Sequence, residues 1–185
     1  MIINPLDLGM LPESQVKVST DNKLFRAVKK VARQVLEGDM ISIDPSVGSG
    51  SSMPGYAVFK KGKLIDYGII SLNPKLNQFL RLYELGRSLR EEFSRTKWDV
   101  LVVEAIPTVR FQSYGRSLSA QVPLHRAVGT VLASVRADHL LEVPPQTWHK
   151  FVVPAYSKSD DKDAVAFGYT VLCYARAALS SGGRS

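Results

Sequence analysis

The chain has 185 residues, 45% of them hydrophobic and 22% charged, which fits one compact domain with an additional arm and excludes wholesale disorder. Lys+Arg number 24 against 17 Asp+Glu, so the formal charge is +7, compatible with nucleic acid, an anionic membrane surface or a basic soluble protein. No apolar run is long enough to span a membrane, and the N-terminus lacks the basic start and apolar stretch of a secretory leader.

Residues 1–18 carry Pro5, Gly9 and Pro12 and read as an extended arm or loop. Over 20–37, Leu24, Val28, Val31 and Val35 recur at helical spacing, with Ser19, Thr20 or Asp21 as the N-cap and Gly38 as the stop. Lys23, Arg26, Lys29, Lys30 and Arg33 cover the rest of that helix, as a solvated basic face or as a surface for DNA or a second subunit. Ile41, Ser42 and Ile43 form a short β-branched strand that ends at Asp44-Pro45 and opens a Gly/Ser-rich loop. Gly55–Lys60 and residues 63–71 then pair as a hairpin around Lys61-Gly62, which completes an antiparallel meander.

Residues 74–96 have a helical apolar pattern, and Trp98–Glu104 (WDVLVVE) is the unbroken apolar run expected of a central strand covered on both faces. It ends on a carboxylate. After a polar stretch, residues 119–138 read as a helix, 140–143 as a strand, and Pro144-Pro145 lead into 146–151. Ser159 is placed to cap a final helix over 160–179, followed by a frayed tail. Cys173 lies in the apolar part of that helix as a buried thiol; as the lone cysteine it cannot make an internal disulfide, so a reducing compartment such as the cytoplasm is expected. The order β-β-β-α-β-α-β-α describes a mixed α/β layer structure.

Acids stand at telling places in this basic chain. Asp44 ends the first strand and Glu104 the long buried one, and in open α/β sheets the functional crevice lies at those carboxyl ends. Asp160 and Asp163 share one face of the last helix's first turn, with Asp161 turned away. Each also has an ordinary reading: Asp44 as a turn former, Glu104 as a strand end facing water, the three aspartates as partners of a helix macrodipole. If the strands of Asp44 and Glu104 are neighbours and the last helix packs beside them, the carboxylates converge. Such a cluster suits Mg²⁺ or Mn²⁺, and two ions roughly 3.5–4 Å apart can promote phosphodiester hydrolysis. A glycosidase needs no four-acid cluster. A sugar-kinase type of phosphotransferase needs Gly-rich phosphate loops and a second domain, for which the chain is too short. His125, His139 and His149 lack the spacing of a zinc site.

IDPSVGSGSSMPGYAVFKKGKLIDYGIIS resembles the opening of RuvC-type Holliday junction resolvases, and WDVLVVEAIP resembles their second block, with the catalytic Glu ending a hydrophobic strand. AVGTVLASV, VPPQTWHK and DDKDAVAFGY are similar to the family's central helix, the following strand-to-helix entry and the terminal Asp-x-x-Asp-Ala block. The resemblance implies an α/β ribonuclease H-like fold, a mixed five-stranded sheet flanked by helices, here with an N-terminal helical extension. It implies a homodimer that cuts four-way DNA junctions, with Asp44, Glu104, Asp160 and Asp163 binding two Mg²⁺ ions, or Mn²⁺ in their place. Which of Asp160 and Asp161 is the third ligand stays open. Residues 1–40 are then an arm and amphipathic helix, 41–180 the nuclease domain and 181–185 a disordered tail.

The chain departs from the family pattern in a longer loop after Asp44, Ser46 in place of a glycine, a longer stretch after Glu104 and a short segment between Trp148 and Asp160. These features look more like a bacteriophage resolvase than the bacterial form. An alternative alignment sets KSDDK against the missing helix and leaves the chain truncated before the last acids. Other ribonuclease H-like nucleases, acting on RNA–DNA hybrids or ribosomal RNA precursors, and a non-catalytic binder of branched DNA are the rival functions.

Residues 105–137 hold Arg110, Arg116, Arg126 and Arg136 and no acid, so basic charge borders Glu104 where phosphates would need neutralising. Arg110 and Arg116 are candidate DNA contacts, and Phe111 and Tyr114 could wedge against unstacked bases or pack on the adjacent helix. Lys150 is preferred over Lys158 and Lys162 as the lysine on the scissile phosphate. Val122, Leu124, Val128, Val131, Leu132 and Val135 offer apolar surface for a core or for dimerisation.

Overall fold

The computed structural model describes residues 2–46, 53–93, 96–106, 118–157 and 159–182. Five strands, β1 (Asp39–Asp44), β2 (Gly55–Lys60), β3 (Lys63–Ile69), β4 (Trp98–Glu104) and β5 (Ala137–Val143), form one sheet in the order β3-β2-β1-β4-β5. The first three are antiparallel, whereas β1 pairs with β4 and β4 with β5 in parallel. Lys61 and Gly62 turn the β2–β3 hairpin with φ of 49° and 68°, the left-handed pair that matches the twist of the strands it joins.

Helices cover both faces, because β1 and β4 are apolar on both sides. On one face Met40, Val100 and Val102 pack with α1 (Lys23–Lys30), α2 (Ala32–Glu37) and α6 (Asp160–Gly182). On the other, Ile41, Ile43, Leu101 and Val103 pack with α3 (Gln78–Phe93) and α4 (Leu118–Ser134). A single turn, α5 (Pro145–Trp148), follows β5. Cys173 is buried in α6, where burial pushes its thiol up to about 12. No helix among the described residues is long and apolar enough to cross a membrane.

Several boundaries differ from the pattern-based expectation. The helix expected over 20–37 is broken at Val31, whose N–H closes the end of α1 on the carbonyl of Val28, and its N-cap is Asn22, whose side chain accepts from the N–H of Phe25. The third helix starts at Gln78 rather than at 74. The fourth stops at Ser134, because Ala137 and Asp138 already belong to β5 beside Trp98. α6 continues through Ser180 and Ser181, whose hydroxyls bond back to the carbonyls of Arg176 and Ala178. The Ser159 side chain does not cap it: among the described residues its buried hydroxyl has no hydrogen-bond partner.

The first residues are joined to the core. Met10 is 1% exposed, Ile3 donates its N–H to Leu64 at 2.9 Å, and Leu24, Phe25 and Val28 sit in the α6-side core.

Candidate active site

Side-chain alternation along the strands sets the site. Met40 points to the α6 side and the Ser42 hydroxyl donates to the Ala164 carbonyl of α6, so the next inward position, Asp44, falls on that side too. On β4, Val100 and Val102 occupy the same side, and Glu104 continues their row. Ile43 stands in register with Val103, which makes Asp44 and Glu104 the next residues on two adjacent parallel strands.

α6 supplies the other acids. Its first turn lies so close to β2 that a Cβ on Gly55 would overlap the carbonyl of Asp160, and only a residue without a side chain permits the approach. The turn carries Asp160, Asp161 and Asp163, all partly exposed.

Asp44 is only 8% exposed, and its carboxyl is held well above the usual carboxylate range, first by burial and then by the charges of Asp160, Glu104 and Asp163. The Ser46 N–H, donating to Oδ1 at 3.2 Å, offsets part of this. Asp161 is not among the charges that raise Asp44; it acts on Tyr156.

Uncharged donors orient the remaining acids. The Met53 N–H donates to Asp160 Oδ2 at 3.0 Å, the indole N–H of Trp148 to Glu104 Oε1 at 2.9 Å, and the Tyr156 hydroxyl to Asp163 Oδ1 at 2.8 Å. Burial, together with the Asp163 charge and this hydrogen bond, raises the Tyr156 phenol far above its ordinary value, so it stays protonated as a donor. Among the described residues no three His, Cys, Asp or Glu side chains are drawn together into a group that could hold a metal ion. The donor chemistry is nevertheless that of a hard divalent cation: carboxylate oxygens from Asp44, Glu104, Asp160 and Asp163, the last three each raising the Asp44 carboxyl.

Of the other candidates, Lys150 is exposed on the turn that follows Trp148. Arg126 stacks over Phe79 with its guanidinium carbon 5.0 Å from the ring centroid, on the α3–α4 side of the sheet. Arg110, Phe111, Tyr114, Arg116 and Lys158 lie outside the described residues. Sequence reasoning passed over Trp148, Tyr156 and the backbone of Met53. Trp148 could have been found as an indole just beyond a strand that neighbours the Glu104 strand; nothing in the sequence marks the other two.

No family model matches the chain, and no curated protein matches it in sequence. Solved structures do match its fold. RuvC of Thermus thermophilus, in complex with a Holliday junction substrate, superposes with a TM-score of 0.53 at 18% identity, covering 75% of this chain and 95% of that one. The chain has the fold of RuvC. A second Thermus thermophilus RuvC structure has 17% identity, coverage of 75% and 96%, and a TM-score of 0.49. The yeast mitochondrial Holliday junction resolvase Ydc2 has 11% identity, coverage of 85% and 94%, and a TM-score of 0.47. The mixed five-stranded sheet flanked by helices is thus the ribonuclease H-like architecture of RuvC, as the strand order indicates. In this RuvC fold Asp44 and Glu104 end the two central parallel neighbours, β1 and β4.

Proposed function

We propose that the chain is a structure-selective endonuclease that resolves four-way DNA junctions by metal-dependent phosphodiester hydrolysis, during recombination or phage DNA processing. One observation carries the reading: Asp44 at the end of β1, its carboxyl raised first by burial and then by Asp160, Glu104 and Asp163, on the fold of a protein solved with a Holliday junction substrate. Asp44, Glu104, Asp160 and Asp163 are the residues that would hold two Mg²⁺ ions, or Mn²⁺ in their place. Ions held there would supply an acidified water and stabilisation of charge on the leaving 3′ oxygen.

The chain's own contribution is to hold the acids and to bind the substrate. Lys150 neutralises the scissile phosphate; Arg110 and Arg116 contact the backbone; Phe111 and Tyr114 stack on unpaired bases at the crossover. A homodimer sets two such sites against one junction. Val128 and Val131 of α4, and Val135 just beyond it, are used up in the core, but Val122 and Leu132, with Phe79 and Tyr83 of α3, remain exposed for the second copy. The protein works in the cytoplasm, where Cys173 remains a thiol.

Cleavage of matched four-way junction, linear duplex and RNA–DNA hybrid substrates with Mg²⁺ or Mn²⁺ tests the reading. Symmetric cuts confined to the junction are expected, and Asp44→Asn should bind the junction without cutting it. Cleavage of the hybrid alone reassigns the substrate. An Asp44→Asn variant that cuts at the wild-type rate removes the site.

A further inference from the structure

The short segment between Trp148 and Asp160 carries both aromatic donors to the acids. Trp148 is 2% exposed, wedged edge-on against Phe167 at a centroid distance of 5.3 Å and against Tyr156 at 6.4 Å. Packing therefore fixes the direction of its indole N–H, a group that can only donate. It reaches Glu104 on β4, while Tyr156 reaches Asp163 on α6. Two rigid rings in mutual contact thus hold carboxylates from two separate elements.

The N-terminal arm holds the segment in turn. The Leu11 N–H donates to the Phe151 carbonyl at 2.8 Å, the Val153 N–H to the Gly9 carbonyl at 2.9 Å, and Met10 forms a bridge with Val152. Gly9 has φ +89° and lies against the Tyr156 ring, where a Cβ would stand 3.1 Å from Cδ2. The Tyr169 hydroxyl, donating to the Leu11 carbonyl at 2.8 Å, fastens the arm to α6. A chain of contacts therefore runs from α6 through the arm to Tyr156 and Trp148, and from them back to Asp163 and Glu104.

We infer that Trp148 and Tyr156 are positioning residues that aim the carboxylates of Glu104 and Asp163, and that residues 9–11 of the arm keep both rings in place. The inference deepens the proposed metal-dependent site and rests on it. Carboxylates crowded together swing toward solvent unless something holds them. An uncharged N–H or O–H donor holds one oxygen without cancelling the negative charge that a cation needs, as partners of ligating groups commonly do.

The test uses full-length protein, Tyr156→Phe, which keeps the ring and loses only the donor, Trp148→Phe, which loses the donor and part of the ring's volume, and Gly9→Ala. Mn²⁺ affinity is read by calorimetric titration, junction kcat and KM by cleavage, and melting in EDTA as the control for folding. Each aromatic variant should lose roughly 10–100-fold in Mn²⁺ affinity or kcat with junction KM held, and Tyr156→Phe should do so with EDTA melting held, whereas Trp148→Phe also melts lower. Gly9→Ala should lose Mn²⁺ affinity and add little to Tyr156→Phe in the double variant, since both act through one ring.

Wild-type affinity and kcat in both aromatic variants overturn the inference, as does a loss in Tyr156→Phe that merely follows a lowered melting temperature. Losses of Gly9→Ala and Tyr156→Phe that add in full overturn the part assigned to the arm. Wild-type protein that neither binds Mn²⁺ nor cuts junctions sinks the proposed function and this inference with it. A wild type that does both, matched by its variants, sinks the inference alone.

Discussion

Gly55 and Asp160 are in such close contact that no side chain fits on the glycine: a Cβ there would overlap the carbonyl of the first residue of α6. The contact sets how near the aspartates of α6 come to the start of β2, and through it to Asp44, which pairs with Gly55. Gly55→Ala should push the two elements apart at a cost of about 1–3 kcal/mol, the usual range for overpacking. The urea midpoint should fall with the slope unchanged, and Mn²⁺ affinity should fall with it. Wild-type values for both would show that the contact relaxes without consequence.

Asp44 contributes instability when ionised. Its carboxyl is raised by burial and by three neighbouring acids, so the folded state holds that proton more tightly than the unfolded chain. Its stabilising contribution is present below the ordinary carboxylate range and is lost as pH rises through the raised value. Without divalent cations at neutral pH, Asp44→Asn should therefore stabilise the fold, by about 0.5–2 kcal/mol. Added Mg²⁺ should raise the melting temperature of wild type and leave that of the variant nearly unchanged. A less stable Asp44→Asn protein in EDTA contradicts the electrostatic account.

At alkaline pH the same linkage acts on Cys173 and Tyr169, both raised chiefly by burial. The thiol moves from its ordinary 9.0 to about 12, so stability present below pH 9.0 should decline as pH rises toward 12. The slope is at most about 1.4 kcal/mol per pH unit for one group. At pH 8 native Cys173 should resist iodoacetamide and react once the chain is unfolded in urea. Rapid native labelling would mean that α6 opens.

Leu132 and Tyr83 test the dimer, being 43% and 67% exposed on the two packed helices α4 and α3. Leu132→Glu combined with Tyr83→Glu should yield a folded monomer in light scattering, with a melting temperature that no longer rises with protein concentration, since neither side chain is in the core. On a junction it should nick one strand at a time instead of resolving both together. A variant that stays dimeric moves the interface elsewhere.

For substrate binding, Arg110→Ala and Arg116→Ala should each weaken junction affinity with kcat unchanged. Each should also lower the slope of log affinity against log salt, by about 0.9 for every phosphate that is no longer neutralised. Lys150→Ala should lower kcat more than affinity. A wild-type salt slope in both arginine variants would place the DNA path away from residues 105–117.

Local pattern made part of this molecule legible. WDVLVVE is apolar on both sides and becomes β4, and Lys61-Gly62 supplies the positive φ angles a tight hairpin requires. Boundaries are less legible where tertiary contacts override propensity. Val31 sits mid-pattern yet ends α1, and Ala137 and Asp138, inside the span expected to be helical, are recruited into β5 by pairing with β4.

By itself the sequence determined which acids end strands and which open a helix, because alternation and helical periodicity are properties of neighbouring residues. Only the tertiary structure decided that β1 lies beside β4, that Gly55 admits α6, and that Trp148 and Tyr156 reach Glu104 and Asp163. Those facts depend on residues far apart in the chain, whose meeting is set by packing and strand pairing and not by any local preference. The raised Asp44 carboxyl belongs to the second kind: its burial and its three charged neighbours exist only once the sheet and α6 have come together.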